Sequence, residues 1–215
     1  MSNYSIKDLV KTFWKSIVLI IVLALIGGSI LGILAKKKQH TTYTATRSVL
    51  ITHNLNHYLK NDNTENPQNN IVNIDQSMMP TYEEITENSQ ISSDVHKHLS
   101  KKMRRDYSSN ELNRDISAKS HPQSLVLKIK VKTDSASDSV KIVNATALSL
   151  KRQLVKIQPG AGTVVPLAKA SKDNVTSETT PHAKKYVAVG VALGGLVGII
   201  ISFTLVTIKE FNKKA

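Results

Sequence analysis

The chain has no cysteine among its 215 residues. It therefore has no disulfide framework, no thiolate nucleophile and no cysteine-ligated metal. Aromatic residues are scarce, at 5%, and acidic residues are outnumbered, with 16 Asp and Glu against 29 Lys and Arg. The formal net charge of +13 predicts attraction to anionic partners such as acidic lipid or acidic glycan.

Two long runs without a charged residue lie near the ends of the chain, at residues 16–35 and 186–208. Runs of this length can cross a bilayer as helices. Buried core helices this long without a charge are uncommon. A secretory signal has a shorter apolar core and a small-residue cleavage pattern, which residues 32–35 lack. We therefore predict two antiparallel spans with both termini on one side of the membrane.

The segment between the spans is polar and basic, and we predict that it forms one small α+β domain. Residues 36–185 hold 23 Lys and Arg against 14 acids. The basic residues beside the spans are nearly balanced, so orientation does not follow from charge. The predicted parts are an amphipathic cytoplasmic N-terminus (1–15), a span (16–35), an α+β domain (36–157), a proline-bearing linker (158–185), a span (186–208) and a short tail (209–215).

Two strands stand out in the middle of the chain. Residues 41–52 are rich in β-branched side chains, and residues 124–132 alternate apolar residues with lysine. Residues 53–76 lack an apolar period and predict a loop. Capping patterns predict helices that begin near Thr81, Ser92 and Ser108, and a last helix capped by Ser137 or Asp138 that runs to about Ile157. The expected buried side chains are Ile91, Val95, Leu99 and Met103, then Leu125, Leu127, Ile129 and Val131, and finally Val140, Val143, Ala147, Leu150 and Leu154.

Small residues recur every four positions within both spans. They are Gly28 and Gly32 in the first span, and Gly190, Gly194 and Gly198 in the second. This spacing lets helices approach closely. We therefore predict that these glycines support helix association.

The first 14 residues carry an apolar stripe that includes Leu9, Phe13 and Trp14. Its spacing of three and four residues predicts a helix lying at the membrane surface and running into the first span. Trp14 falls where an aromatic residue of the membrane interface is expected. The plainest interpretation is that this stripe eases the chain into the bilayer.

No set of catalytic or metal-binding residues can be assembled from the sequence. Glu83 has no second acid placed to form a general acid–base pair with it. His53 with His57, and His96 with His98, lack the acidic residue of a zinc-protease helix. Solvated side chains explain these residues better, so we predict no enzyme activity, no cofactor and no metal. The lysine rows at 101–105 and 128–132 lack interleaved aromatics, which disfavours nucleic acid.

The chain resembles the chain-length determinant proteins, which are Wzz-type polysaccharide co-polymerases, and its short form is similar to the capsular and exopolysaccharide modulators of Gram-positive bacteria. The resemblance covers essentially the whole chain. It rests on a basic amphipathic start (YSIKDLVKTFWKS), a span, a strand (YTATRSVLI), a helix pair (TYEEI, then NSQISSDV), a strand-to-helix passage (SLVLKIKVKTDSASDSVKIVNATA) and a linker before a second span.

This resemblance implies a non-enzymatic regulator of capsular or exopolysaccharide synthesis in the cell membrane. Both termini would be cytoplasmic, the main domain would be extracellular, and the subunits would form a homo-oligomeric ring. The implied partners are a polysaccharide polymerase, the growing polymer and, in Gram-positive members, a cytoplasmic tyrosine kinase. The alternative is a membrane-anchored domain that binds anionic cell-wall polymer.

Two features depart from the family pattern. The linker residues Pro159, Pro166 and Pro181 are far apart, whereas the family usually clusters its linker prolines. Only residues 209–215 follow the second span here, whereas kinase-modulating members usually carry a longer tail. We therefore expect control of polymer length to be the main role of this chain, ahead of activation of a kinase. The side chains available for a kinase contact are Leu9, Phe13, Trp14 and Phe211.

Overall fold

The computed structural model describes residues 6–53 and 67–214. Two compact units are present, one formed by Met1–Thr41 with Thr179–Ala215 and the other by Thr42–Glu178. The predicted mixed α+β class, with a long apolar helix on either side of a middle domain, is confirmed. The helices are α1 (Ile6–Lys37), α2 (Pro67–Thr86), α3 (Ser89–His98), α4 (Lys101–Asp106), α5 (Ser109–Asp115), α6 (Ala136–Ile157) and α7 (Ala183–Lys214). The strands are β1 (His40–Thr52), β2 (Ile116–Ser120), β3 (Val126–Thr133), β4 (Thr163–Pro166) and β5 (Thr176–Thr180).

The sheet is built around β1, the first predicted strand. Its order is β2-β3-β1-β4, and β5 also pairs with β1. The pairs of β1 with β3, β1 with β4, and β2 with β3 are all antiparallel. Because β1 is rich in β-branched residues, it is well suited to a position with neighbours on both edges.

One face of the sheet packs against α6 and forms the core of the middle domain. In β3, Leu127, Ile129 and Val131 are fully buried as predicted, whereas Leu125 before the strand and Val140 of α6 are only partly buried. Leu150 and Leu154 of α6 are also fully buried. Each such side chain contributes about 1.5–3 kcal/mol by leaving water. Further core side chains come from α6, from β1, β2 and β4, and from helices α2 to α5.

Helix α2 corrects two expectations. The loop predicted at 53–76 is wrong for residues 67–76, and the helix expected to begin near Thr81 begins at Pro67 instead. Proline is favoured in the first turn because its missing N–H needs no partner there. The inward side of α2 carries Asp75, Met79 and Tyr82, and all three are buried. Because a carboxylate occupies one of these positions, the apolar period that would have predicted the helix is interrupted. Residues 54–66 lie outside the described residues.

The capping predictions had mixed outcomes. Helix α3 begins at Ser89 rather than Ser92, because the Asn88 side chain accepts a hydrogen bond from Gln90 N at 2.9 Å. The stripe from Ile91 to Met103 is buried as predicted, but the helix ends at His98 and α4 resumes after Ser100. The capping box at the start of α5 is confirmed. Helix α6 is capped by Ser135, two or three residues before the predicted Ser137 or Asp138, and ends at Ile157 as expected.

Three strands have no counterpart in the predictions. Strand β2 pairs with β3 and buries Ile116 and Ala118. Strands β4 and β5 lie inside the segment expected to be an extended linker, and both pair with β1. Strand β4 buries Val164 in the core, at 2% exposure. A strand of four or five residues has too short an alternation to be recognised without knowing its partner.

Candidate functional site

The two apolar helices pack against each other through glycine. Gly190 lies against Gly27, Gly194 against Leu23 and Ala24, and Gly198 against Ile20. These contacts run in opposite chain directions, so α1 and α7 are antiparallel. A Cβ atom built on Gly27 would meet the Gly190 carbonyl oxygen at 2.5 Å, which leaves no room for a side chain. Close backbone approach of this kind is how apolar helices associate in lipid.

The structure places the five predicted glycines in two environments. Gly190, Gly194 and Gly198 contact the α1 backbone, whereas Gly28 and Gly32 face the side chains of Val187 and Val191. That these glycines join helices stays a prediction for the protein in a bilayer.

Two members of the contact were missed in the sequence. Gly27, rather than Gly28, makes the principal backbone contact from α1. Ser202 lies four residues beyond Gly198 and is 7% exposed, so it continues the small-residue side of α7. Extending the four-residue spacing to serine would have found Ser202.

The outer surfaces of this helix pair are apolar. Leu25 is 61% exposed and Phe203 is 74% exposed. Ser16–Lys37 and Ala183–Ile208 are long and apolar enough to cross a membrane. The hydroxyls of Thr204 and Thr207 donate to the carbonyls four residues earlier, at 2.8 and 2.9 Å. Bonds of this kind satisfy polar groups that would otherwise be unpaired in lipid.

The middle domain presents a second candidate surface on the side of the sheet away from the core. Strands β2 and β3 carry lysines there at alternate positions, with hydroxyls on the partner strands. We call this set the lysine face. Its members are Lys119, Lys128, Lys130 and Lys132, next to Thr44, Thr46, Ser48 and Ser117.

The lysine face has a surplus of positive charge. Lys119 stands directly opposite Lys128 in the β2–β3 register, an arrangement of like charges that is destabilising. Within the described residues, Lys119 pairs with Glu83 at 3.4 Å and Lys132 reaches Glu178 only at 4.0 Å. Lys128 and Lys130 have no ion pair among the residues that the structure describes. The surface therefore suits an extended anion with acid groups along its length.

The predicted absence of a catalytic or metal site concerned residues that now have structural partners. Glu83 was expected to be solvated, but its carboxylate accepts bonds from Ser120 N and Oγ, both at 2.6 Å. Burial raises the pKa of Glu83, but these bonds and Lys119 outweigh it, and the pKa of Glu83 is lowered. Glu83 thus attaches α2 to β2.

His53 also differs from the solvated side chain that was predicted. Its backbone N–H donates to Asp75 Oδ2 at 2.9 Å, and its Nδ1 lies 2.5 Å from Asp75 Oδ1. Its Nε2 lies 2.8 Å from the Gly160 carbonyl oxygen, which can only accept, so Nε2 carries a proton. The pair of His53 and Asp75 joins the end of β1 to α2 and to the loop after α6.

The other histidines bind backbone carbonyls. His96 Nε2 donates to Arg104 O at 3.1 Å, and His98 Nδ1 donates to Asp94 O at 2.8 Å. His57 lies outside the described residues. Over residues 6–53 and 67–214, no group of three His, Asp or Glu side chains is arranged to hold a metal.

The three linker prolines lie at different points along the chain, and the residues considered for a kinase contact lie elsewhere. Pro159 is in the turn after α6, Pro166 ends β4 opposite Val49, and the Pro181 carbonyl accepts from Gln39 Nε2 at 3.0 Å. Trp14 is in α1 and is 65% exposed. The side chains of Leu9, Phe13 and Phe211 lie outside the described residues.

Comparison with known proteins identifies the family. The model of the Wzz family, described as chain length determinant protein, matches residues 3–110. That match spans half of the chain, from α1 into α5. No curated protein matches the chain. Members of the Wzz family are chain length regulators rather than catalysts, and they work with the polysaccharide synthesis machinery of membranes. The chain belongs to the Wzz chain length determinant protein family.

Proposed function

We propose that this protein sets the length of a capsular or extracellular polysaccharide and does so without catalysing a reaction. The observation that carries the proposal is a Wzz-family chain in which two long apolar helices flank one basic α+β domain. The helices would cross the membrane at about residues 16–35 and 186–208, with both termini in the cytoplasm. The domain would face outward, where the polymer grows.

The orientation can be tested with single cysteines, since the natural chain has none to interfere. A cysteine at Ser2 or Ala215 should be shielded from a membrane-impermeant thiol reagent in intact cells. A cysteine at Asn69 should react. Labelling at Ser2 without labelling at Asn69 would reverse the proposed orientation.

The lysine face is the surface that we propose for contact with the growing polymer. Alternate residues of a strand lie about 6.6 Å apart, so Lys128, Lys130 and Lys132 form a straight row of charges. The hydroxyls of Thr44, Thr46 and Ser48 lie opposite these lysines in the register and add hydrogen-bonding groups suited to sugars.

The length function is tested in a deletion strain complemented with defined variants. The deletion should broaden or shift the polymer size distribution on gels, and the wild-type gene should restore it. A Lys128→Gln, Lys130→Gln, Lys132→Gln variant should restore it poorly. The matched control is Lys97→Gln, Lys101→Gln, Lys102→Gln, which removes three exposed charges from α3 and α4. An unchanged size distribution in the deletion strain would rule out length control.

A second candidate function is the holding of an anionic cell-wall polymer by a membrane-anchored domain. The surplus charge of the lysine face favours it, because acid groups would neutralise the opposed pair Lys119 and Lys128. Retention of purified acidic polymer by wild type but not by the lysine-face variant, in a strain whose polysaccharide length is normal without the protein, would favour this candidate.

We further propose that subunits associate in a ring and work beside a polysaccharide polymerase. If subunits form a ring, cross-linking should give a series of oligomers of increasing size that ends at one subunit number. Detection of the monomer alone after cross-linking in native membranes would refute the ring.

A tyrosine kinase partner, where one exists, would contact the cytoplasmic ends of the chain. We propose that the stripe with Leu9, Phe13 and Trp14 supplies part of the contact, because interfaces depend on buried aromatic and apolar anchors and this stripe offers two aromatic side chains. A pull-down would compare wild type, a truncation after Ile208 and Phe13→Ala. Binding that disappears on truncation yet survives Phe13→Ala would contradict this assignment.

A further inference from the structure

A basic cleft lies where the apolar helix pair ends. Its volume is about 580 Å³. It forms between the residues that follow α1 and the first turn of α7. The residues that matter here are Lys38, His40, Pro181, His182, Lys185 and Tyr186.

Hydrogen bonds between the two chain segments hold the walls of this cleft together. Gln39 Nε2 donates to Pro181 O at 3.0 Å, and the hydroxyls of Thr41 and Thr179 are bonded at 2.8 Å. At the start of α7, the His182 carbonyl accepts a hydrogen bond from Lys185 N at 3.0 Å. These bonds hold the two chain segments side by side where the cleft forms.

The charge of the cleft has one sign. It is lined by two lysines and two histidines, and none of the described residues that line it is a carboxylate. Among residues 16–41 and 179–208 there is no Asp or Glu at all, so these cations have no acidic partner within that part of the chain. Concentrated positive charge in a concave site, with imidazole and ammonium donors, is suited to a phosphate group.

An apolar groove begins within one turn of the cleft along both helices. It has a volume of about 420 Å³ and is lined mainly by apolar residues, including Leu25, Ile33, Val187 and Val191. Gly28 and Gly32 also line it, and the absence of side chains there leaves the space open. A hydrocarbon chain would fit such a groove, whereas a water-soluble anion would gain nothing from it.

We propose that this cleft binds the phosphate or pyrophosphate headgroup of a membrane lipid, whose hydrocarbon chain lies in the adjoining groove. Lys38 and Lys185 contact the phosphate oxygens, the two histidines add donors, and Tyr186 lies at the level of the headgroups. The inference rests on the proposed membrane crossing of α1 and α7 and is independent of polymer length control.

The test uses the full chain in nanodiscs of phosphatidylcholine that contain phosphatidic acid as the probe. Native mass spectrometry measures how much phosphatidic acid stays bound after release from the disc. Lys38→Gln with Lys185→Gln should reduce retention by about tenfold or more, since each lysine near the surface contributes appreciably to anionic lipid binding. The matched control, Lys37→Gln with Lys184→Gln, removes the same charge from neighbouring lysines that do not line the cleft and should retain the lipid. Equal losses in both variants would show diffuse attraction and overturn the proposal.

A further variant separates the lipid from a free anion. Ser29 lines the groove and is exposed, so Ser29→Leu should fill the groove without entering the contact between α1 and α7. We expect it to weaken retention of phosphatidic acid severalfold while leaving the helical circular dichroism unchanged. Inorganic pyrophosphate should compete poorly. Full retention by Ser29→Leu, together with effective competition by pyrophosphate, would mean a site for a soluble phosphate and would overturn the lipid assignment. Because these measurements use purified protein, their failure is distinct from a failure of length control in cells.

Discussion

The helix pair and the middle domain are packed by opposite means. In the pair, the contact is made by glycine, and large apolar side chains such as Leu25 and Phe203 point outward. In the middle domain, large apolar side chains such as Leu127 and Leu150 are fully buried. This is the difference expected if the helix pair lies in lipid, as proposed above. Water drives apolar side chains inward, whereas lipid gives them no such drive and leaves close backbone contact as the main gain.

The largest effect is expected from removing core volume in the middle domain. Leu150→Ala should lower the free energy of unfolding by about 2–5 kcal/mol, because it loses buried surface and leaves a cavity. Urea unfolding in detergent, followed by near-ultraviolet circular dichroism, measures the change. Leu148→Ala, two residues away on α6 and 44% exposed, is the matched control and should change it by less than about 0.5 kcal/mol. Similar losses in both variants would remove the contrast between the two regions.

The next effect concerns Asp75 and His53, which form a buried polar pair in the middle domain. The described residues of the two apolar helices contain no such pair, so its loss should affect only the middle domain. Asp75 is fully buried, accepts a hydrogen bond from His53 N and lies 2.5 Å from His53 Nδ1. Asp75→Ala removes this carboxylate from the interior, and losing a buried hydrogen-bond partner costs about 1–3 kcal/mol. Asp106→Ala, an exposed change, serves as the control in the same unfolding measurement. Equal stability of the two variants would show that His53 finds another partner.

A smaller effect is expected in the helix pair. Gly194→Leu should force α1 and α7 apart at a cost of about 1 kcal/mol or more, because a Cβ there meets the α1 backbone. Gly195→Leu is the control, since a Cβ on Gly195 meets nothing within 4 Å. Hydrogen exchange of both helices in detergent should rise only in the first variant. Equal exchange in the two would show that glycine does not set this contact, and unchanged oligomer ladders would assign assembly to another surface.

The smallest effect is a dependence of stability on pH. Because the folded pKa of Glu83 lies below its unfolded value of about 4.3, its contribution is present above that pH and is lost as the pH falls through the folded pKa. Glu83→Gln should therefore reduce the difference in unfolding free energy between pH 6 and pH 3 by about 1 kcal/mol or less. The neighbouring exposed Glu84→Gln should leave that difference as in wild type. If the difference between pH 6 and pH 3 falls in Glu84→Gln but not in Glu83→Gln, the attachment of α2 to β2 by Glu83 is contradicted.

Much of this molecule follows from local patterns. Both long helices, the alternation of β3, the capping box at Ser108 and the buried line of α6 were predicted, because in each case the signal and its cause lie within a few residues. The lysines of β3 were also recognised as an outward row. The residues that lie beside this row on the neighbouring strands were not predicted, because the positions of Thr44 and Lys119 depend on strand register.

The sequence by itself determined where the long apolar helices lie and which side of each strongly alternating element is buried, because hydrophobic period is a property of consecutive residues. Only the tertiary structure decided what depends on distant partners. Asp75 interrupts the pattern of α2 because its partner is 22 residues away at His53. Strands β2 and β4 exist because β3 and β1 offer them hydrogen bonds. Gly27 makes the closest contact with Gly190, with Gly28 beside it, because the rotation of α1 is set by its contact with α7.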